Sequence, residues 1–204
     1  MADGPSASPT TRLECVESDF YARSALEVAR DLLGCVLTRE HSRDGVVAGR
    51  IVETEAYTGL DDPASHSAAR IGRTRRNDPL YGPPGTAYVH LNYGVHWCLN
   101  AVTGPEGVPE GVLIRALEPL VGEDVMRQRR SGRLDLTNGP GRLTQALSVG
   151  PEFQRHRLDS APLLILPGEL VSDESICRSP RIGISRATDR LYRFTDARSA
   201  WLTR

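Results

Sequence analysis

The stretch Arg50-Ile51-Val52-Glu53-Thr54-Glu55-Ala56-Tyr57-Thr58-Gly59 sets two carboxylates and a phenol at alternate positions. Read as a strand, its period of two sends Val52, Thr54 and Ala56 to one face and Glu53, Glu55 and Tyr57 to the other. Like charges then stand about 7 Å apart beside an aromatic ring, which favours raising one carboxyl pKa, as a catalytic acid or base requires. The plain alternative is an exposed edge strand. Downstream, Asn92-Tyr93-Gly94 separates two alternating runs, Thr86 to Leu91 and Val95 to Asn100, and reads as a hairpin turn in which Asn and Gly tolerate positive φ. Tyr93 at its tip has little to pack against in its own sheet, so it either docks elsewhere or serves as a wedge for a partner.

The positioning elements follow from local patterning. Ser24 to Leu33 is expected to be a helix, with Ser24 as cap, apolar residues at helical spacing and Gly34 as stop. Cys35 to Arg39 and Val46 to Tyr57, joined at Asp44-Gly45, are expected to pair antiparallel. The segment from Thr58 to Pro84 is loop-like and long enough to be a functional surface. Val112 to Ala116 is a strand expected to break at Glu118-Pro119, and Gly122 to Arg130 a helix with acids at its start and arginines at its end. Asn138 to Leu147 sets a Gly-rich turn, with Gly139 and Gly141, before a short helix, a geometry able to hold a phosphate. Leu163 to Leu166, Arg181 to Ile184 and Leu191 to Phe194 complete the strands, the last two a candidate pair.

The 204 residues, 39% of them apolar, suit one domain over residues 12–204 behind a polar tail, residues 1–11. No signal-peptide core or membrane-length apolar run occurs, so a soluble, cytoplasmic protein is expected. Four scattered cysteines suit reduced thiols, and the histidines lack zinc-ligand spacing; no metal and no cofactor are expected. All 25 basic residues are arginine and the net charge is −1, so any basic footprint must be local. Arg70, Arg73, Arg75 and Arg76 form one cluster, and Arg127, Arg129, Arg130 and Arg133 another, although such runs are more often solvated faces.

An acid beside a tyrosine, an aromatic-tipped hairpin and arginine clusters are what base extrusion from DNA requires. Arg50 to Tyr57, Ala64-Ser-His66-Ser, Pro84 to Gly94, Leu113 to Pro119 and Asn138 to Leu147 resemble the alkyladenine (3-methyladenine) DNA glycosylase family, in the family's order from about residue 12 to the C-terminus. The resemblance implies an α+β fold: a curved antiparallel sheet with a protruding hairpin and surrounding helices. It implies hydrolysis of the N-glycosidic bond of alkylated or deaminated purines in duplex DNA, as in base excision repair, by a nucleoid-associated bacterial monomer. By position, Glu55 is similar to the general base that activates water, and Arg115 to the arginine beside that water and the backbone phosphate. Tyr57 matches one stacking face of the base slot, His66 and His90 the other, and Asn100 the residue that crowds the 2-amino group of guanine. Tyr93 matches the residue that enters the minor groove. Arg70, Arg73, Arg75 and Arg76 are implied as a group in phosphate contact. The better-known animal members carry tyrosine where this chain has His90, a smaller and titratable surface.

The chemistry agrees with the resemblance. A purine alkylated at N3 or N7 is cationic and leaves readily, so an electron-rich aromatic slot selects it and the enzyme supplies mainly the nucleophile. A neutral base such as hypoxanthine also needs help on the departing ring. A glycoside hydrolase would share the paired carboxylates but not the aromatic tip or the arginine clusters. A non-catalytic lesion binder would lack a usable acid, and Glu55 stands in its motif.

Overall fold

The computed structural model describes residues 15–65, 69 and 71–203, so the tail 1–11, His66 and Arg70 lie outside the described residues. In chain order the helices and strands are α1 (Ser18–Tyr21), α2 (Ala25–Asp31), β1 (Val36–His41), β2 (Gly45–Tyr57), β3 (Ala87–Asn92), β4 (His96–Thr103) and β5 (Glu110–Val121). There follow α3 (Glu123–Arg129), α4 (Pro140–Leu147), β6 (Asp159–Ser160), β7 (Leu163–Leu166), β8 (Ile176–Ser179) and β9 (Arg193–Asp196). The strands form one antiparallel sheet in the order β3-β4-β5-β2-β1-β7-β6, with β9 against β2 and β8 outside β9. The fold is α+β, with the sheet at its centre.

β2 is the middle of this sheet and not an edge. β5 runs along one side of it, while β1 pairs with its first half and β9 with Glu53, Thr54 and Glu55 on the other. Register shifts against β5 at Ala48/Gly49, Ile51/Glu53 and Glu53/Thr54 curl the sheet beside the two carboxylates, as bulges do near functional sites.

The apolar face of the sheet is covered by α2 and α4. Ser24 caps α2 in a capping box with Glu27, a device worth about 0.5–2 kcal/mol. The helix and the turn after it bring Val28, Ala29, Leu32 and Leu33 into one core with Ile51, Leu99 and Ile114, each large apolar side chain gaining roughly 1.5–3 kcal/mol on burial. Thr54 points to this side and donates its hydroxyl to Ala29 O at 2.6 Å. From α4, Thr144 Oγ1 donates to Trp97 O at 2.9 Å, and Gly141 lies so close to His96 that a Cβ would meet the His96 Cβ at 2.8 Å. Gly141 is thus accounted for by helix-to-hairpin packing.

Three local expectations are corrected. β5 does not stop at Glu118-Pro119 but runs to Val121: β4 pairs only with Glu110 to Leu113, so the missing Pro119 amide falls where no second strand needs it. Arg181 to Ile184 is not a strand. The partner of β9 is β8, because Pro180 and the positive φ of Gly183 turn the chain away and Arg181 is buried against Asp62. At the hairpin tip the positive φ values fall on Tyr93 (50°) and Gly94 (71°), with Val95 N donating to Asn92 O at 3.1 Å.

The free edge of β3 is occupied by side chains. Val89 N donates to Gln154 Oε1 at 2.8 Å, and Gln154 Nε2 donates to Val89 O at 3.0 Å. Arg76 Nη2 reaches Leu91 O at 2.6 Å.

Candidate active site

The polar face of the sheet is built by cross-strand register. Asn100 and Glu55 both pair with Leu113, and Tyr88 pairs with Asn100, so these residues form one row across β3, β4, β5 and β2. Two residues along β5, Arg115 stands on the same side and is buried between the carboxylates of β2. Its Nε donates to Glu53 Oε1 at 3.0 Å, and its Nη1 lies 3.3 Å from Glu55 Oε2.

Both carboxylates are fully sealed from solvent. Glu53 Oε1 also accepts from Arg193 Nε at 2.7 Å, and its Oε2 accepts from the Thr203 amide at 2.6 Å. Burial alone would raise its pKa, but these bonds and the charges of Arg193 and Arg115 outweigh it and hold the group below the ordinary carboxylate range. Glu55 Oε2 accepts from Tyr57 OH at 2.9 Å and its Oε1 from the Ile182 amide at 2.7 Å. Here burial prevails over Arg115, Ile182 and Tyr57, and the pKa is raised. The cause differs from the one expected, because repulsion from Glu53 is the smallest of these influences. Two hydrogen bonds, from Tyr57 and Ile182, and the Arg115 ion pair engage this carboxylate among the described residues, so Oε1, with one bond, keeps a free acceptor position out of the two lone pairs an oxygen offers. Burial and the Glu55 charge keep the Tyr57 phenol protonated, so it serves as donor.

Tyr57 lies under Arg181, whose Cζ is 4.6 Å from the ring centroid. Arg181 is itself fully buried on Asp62, with Nη2 donating to Asp62 Oδ1 at 2.7 Å, a second bond from Nη1 to Oδ2, and Nη1 donating to Ala56 O at 2.8 Å. On β3, His90 stacks on Tyr88 with centroids 5.2 Å apart and planes at 21°. Asn100 Nδ2 donates to Tyr88 O at 3.0 Å and faces His90 Nδ1 at 3.1 Å, which makes Nδ1 the acceptor and leaves the ring proton on Nε2. Burial pushes His90 down to about 4, with Arg76 adding to the shift, so the ring is neutral near pH 7. It is titratable only in acid.

Tyr93 is 82% exposed at the end of the hairpin. The first arginine cluster divides: Arg73 pairs with Asp78 at 2.7 Å and lies over Tyr81, and Arg76 bonds to Leu91 O. Arg75 has no ion-pair or hydrogen-bond partner among the described residues and, with Arg76 and His90, lines a cleft of about 490 Å³. The second cluster is taken up in ion pairs, Arg129 with Asp44 at 2.6 Å, Arg133 with Asp135 at 3.0 Å and Arg127 with Glu123 at 2.6 Å. Gly139 precedes α4 as its N-cap, and Gly141 is in the helix's first turn.

Glu55, Tyr57, Arg115, Asn100 and His90 therefore stand on one face of one sheet. Sequence reasoning missed Asp62, Tyr88, Arg181, Ile182 and Arg193. Asp62 and Arg193 read as ordinary loop and strand charges, and an amide donor such as Ile182 leaves no side-chain signature. The one available signal was Arg181 standing alone in the Pro180-to-Ile184 segment. Among the described residues no cluster of His, Cys, Asp or Glu could hold a metal ion, and no helix is long and apolar enough to cross a membrane.

A sealed carboxylate held by an arginine, a phenol and an amide, its pKa raised by burial, is chemically able to exchange a proton. Comparison with known proteins gives the reaction class. Residues 19–200 match the sequence model of the family described as methylpurine-DNA glycosylase. A protein of Salinibacter ruber is 46% identical over 193 residues, 89% of this chain and 93% of its own. One from Carboxydothermus hydrogenoformans is 47% identical over 178 residues (86% and 91%), and one from Nitrosospira multiformis 47% over 188 residues (91% and 92%). All three carry the name of candidate 3-methyladenine DNA glycosylases. The chain belongs to the methylpurine-DNA glycosylase family. It is a DNA-repair hydrolase of N-glycosyl bonds.

Proposed function

We propose that this protein, as one domain over residues 12–204, extrudes alkylated purines such as 3-methyladenine, and deaminated purines such as hypoxanthine, from duplex DNA. It hydrolyses their N-glycosidic bond with water and leaves an intact abasic strand. The observation that carries this reading is Glu55: buried, raised in pKa, held by Tyr57, Arg115 and Ile182, and with acceptor capacity left on Oε1. Such a group takes a proton from a water attacking C1′, and burial strengthens it as a base.

Arg115 orients Glu55 and faces the developing charge of the reaction. The face of Tyr57 opposite Arg181 stacks on the extruded base, with neutral His90 and His66 across from it. Asn100, fixed by Tyr88 O and His90, crowds the position of a guanine 2-amino group. Tyr93 fills the gap left in the stack. Arg75, with Arg70, Arg73 and Arg76, and the amides around Gly139 and Gly141 hold phosphates. The protein works as a monomer in the bacterial cytoplasm, on the nucleoid, and takes no cofactor.

Incubation with duplexes containing a methylated purine or hypoxanthine tests the reading. Free base with an intact abasic strand is the expected result; tight lesion binding without base release would make the protein a lesion binder.

A further inference from the structure

We propose that the buried Arg181–Asp62 pair is the positioning device of the site, clamping the Ile182 amide onto Glu55 and backing the Tyr57 ring. The inference rests on the reading of Glu55 as the base. Burying this pair carries a cost that needs a reason. Both side chains are sealed from solvent, and Arg181 Nε has no partner among the described residues. A buried ion pair of this kind is poor evidence for stability, because apolar residues of similar volume often serve as well. Arg181 nevertheless fixes three things at once. Its guanidinium grips Asp62, which also accepts from the Ala64 amide at 3.1 Å and so braces the loop leading toward residue 66. It bonds to Ala56 O, between Glu55 and Tyr57 on β2, and covers the Tyr57 ring. The next residue in the chain, Ile182, donates its amide to Glu55 at 2.7 Å.

The consequence concerns the protonation of the base. The charged or titratable groups facing Glu55 are Arg115 from β5, Glu53 and Tyr57 from its own strand, Cys98 from β4 and Arg181 itself; Arg193 on β9 is its register partner. Burial drives Glu55 toward the neutral form, and the Ile182 amide opposes it. Loosening the segment at 181 removes that amide, while the Arg115 contact, made from β5, stays in place. Glu55 then ionises only at higher pH.

The test uses Arg181→Lys, which keeps a charge for Asp62 but loses the planar fork, together with Asp62→Asn and Arg181→Met. Protein labelled with 13C at the glutamate carboxyls is titrated by NMR, the Glu55 signal being identified by its absence in Glu55→Gln. Single-turnover release of hypoxanthine from a duplex is followed across the same pH range. The expected result is an upward move of the Glu55 titration by about one pH unit, the scale of one lost bond to a charged group. The acid limb of base release moves with it, and the rate is restored on the alkaline side. An unmoved Glu55 titration in folded Arg181→Lys and Asp62→Asn overturns the inference, as does an equal loss of rate at every pH. A titration that moves in a protein that releases no base would instead overturn the function assigned to Glu55, so the two failures are distinct.

Discussion

Glu53 and Glu55, two positions apart on β2 and both sealed from solvent, are driven to opposite sides of the ordinary carboxylate range. Glu53 takes the Arg115 Nε, the Arg193 Nε and the Thr203 amide, whereas Glu55 keeps the more distant Nη1 of Arg115, a phenol and one amide. Separating two carboxyls by environment is how one site assigns a fixed anion and a working base. Glu53 anchors Arg115; Glu55 is held by fewer charged donors.

Glu55→Gln should lower the rate of base release by at least ~100-fold, because it removes the proton acceptor at near-constant volume. Lesion-duplex affinity should stay close to that of the unaltered protein. Single-turnover rates and anisotropy titrations read the two quantities, and near-normal turnover would remove Glu55 from the mechanism.

Base release should fall on acidification through one ionisation above the usual glutamate value, since protonated Glu55 accepts nothing. His90 adds no limb near neutrality, because it titrates at about 4. Stability carries the same signature. Glu55, raised, contributes below its unfolded pKa, and that contribution is lost as pH rises through the folded value; Glu53, lowered, contributes above its unfolded pKa and loses this as pH falls through its folded value. Glu55→Gln should therefore lose less stability than the parent between weak acid and neutral pH, as read by melting curves across that range.

Tyr93→Gly should separate stability from function. A tyrosine at φ 50° is strained and, being 82% exposed, has little packing to lose. Glycine should raise stability by up to ~1 kcal/mol in denaturant titrations, while capture of the extruded state in duplex DNA weakens by a few kcal/mol for want of a wedge. Equal effects on single-stranded and duplex substrates would count against the wedge.

His90→Tyr should tighten binding to an ethenoadenine duplex by ~1 kcal/mol through a larger stacking surface. Weaker or unchanged binding would mean that residue 90 does not wall the slot.

No protein–DNA adduct should be trapped by borohydride during turnover. A strand-cutting glycosylase forms a Schiff base through an amine, and this chain has no lysine. A covalent complex specific to lesion DNA would overturn the assignment to water.

Much of this arrangement was legible in the sequence, and the exceptions have physical causes. The period of two in β2 puts Glu53 and Glu55 on the face opposite Thr54, and Ser24 with Glu27 announces the start of α2. Pro119 misled because a proline breaks only a strand that needs its amide, and whether it does depends on where β4 ends. The Arg127 to Arg133 cluster is largely the solvated face its composition suggests, but its partners Asp44 and Asp135, remote or unremarkable in sequence, were not legible. Arg181 was read as strand because its partner, Asp62, lies 119 positions away.

Gln154 and Arg76 have a consequence beyond the site. An uncovered strand edge is a template on which a second chain can add its own strand. Gln154 occupies both main-chain groups of Val89 and Arg76 takes Leu91 O, at the base of a hairpin whose tip is bare and aromatic. Two such hairpins have no continuous register on which to zip together. The molecule can carry an exposed aromatic tip at high local concentration and still be guarded against sheet-to-sheet aggregation through it.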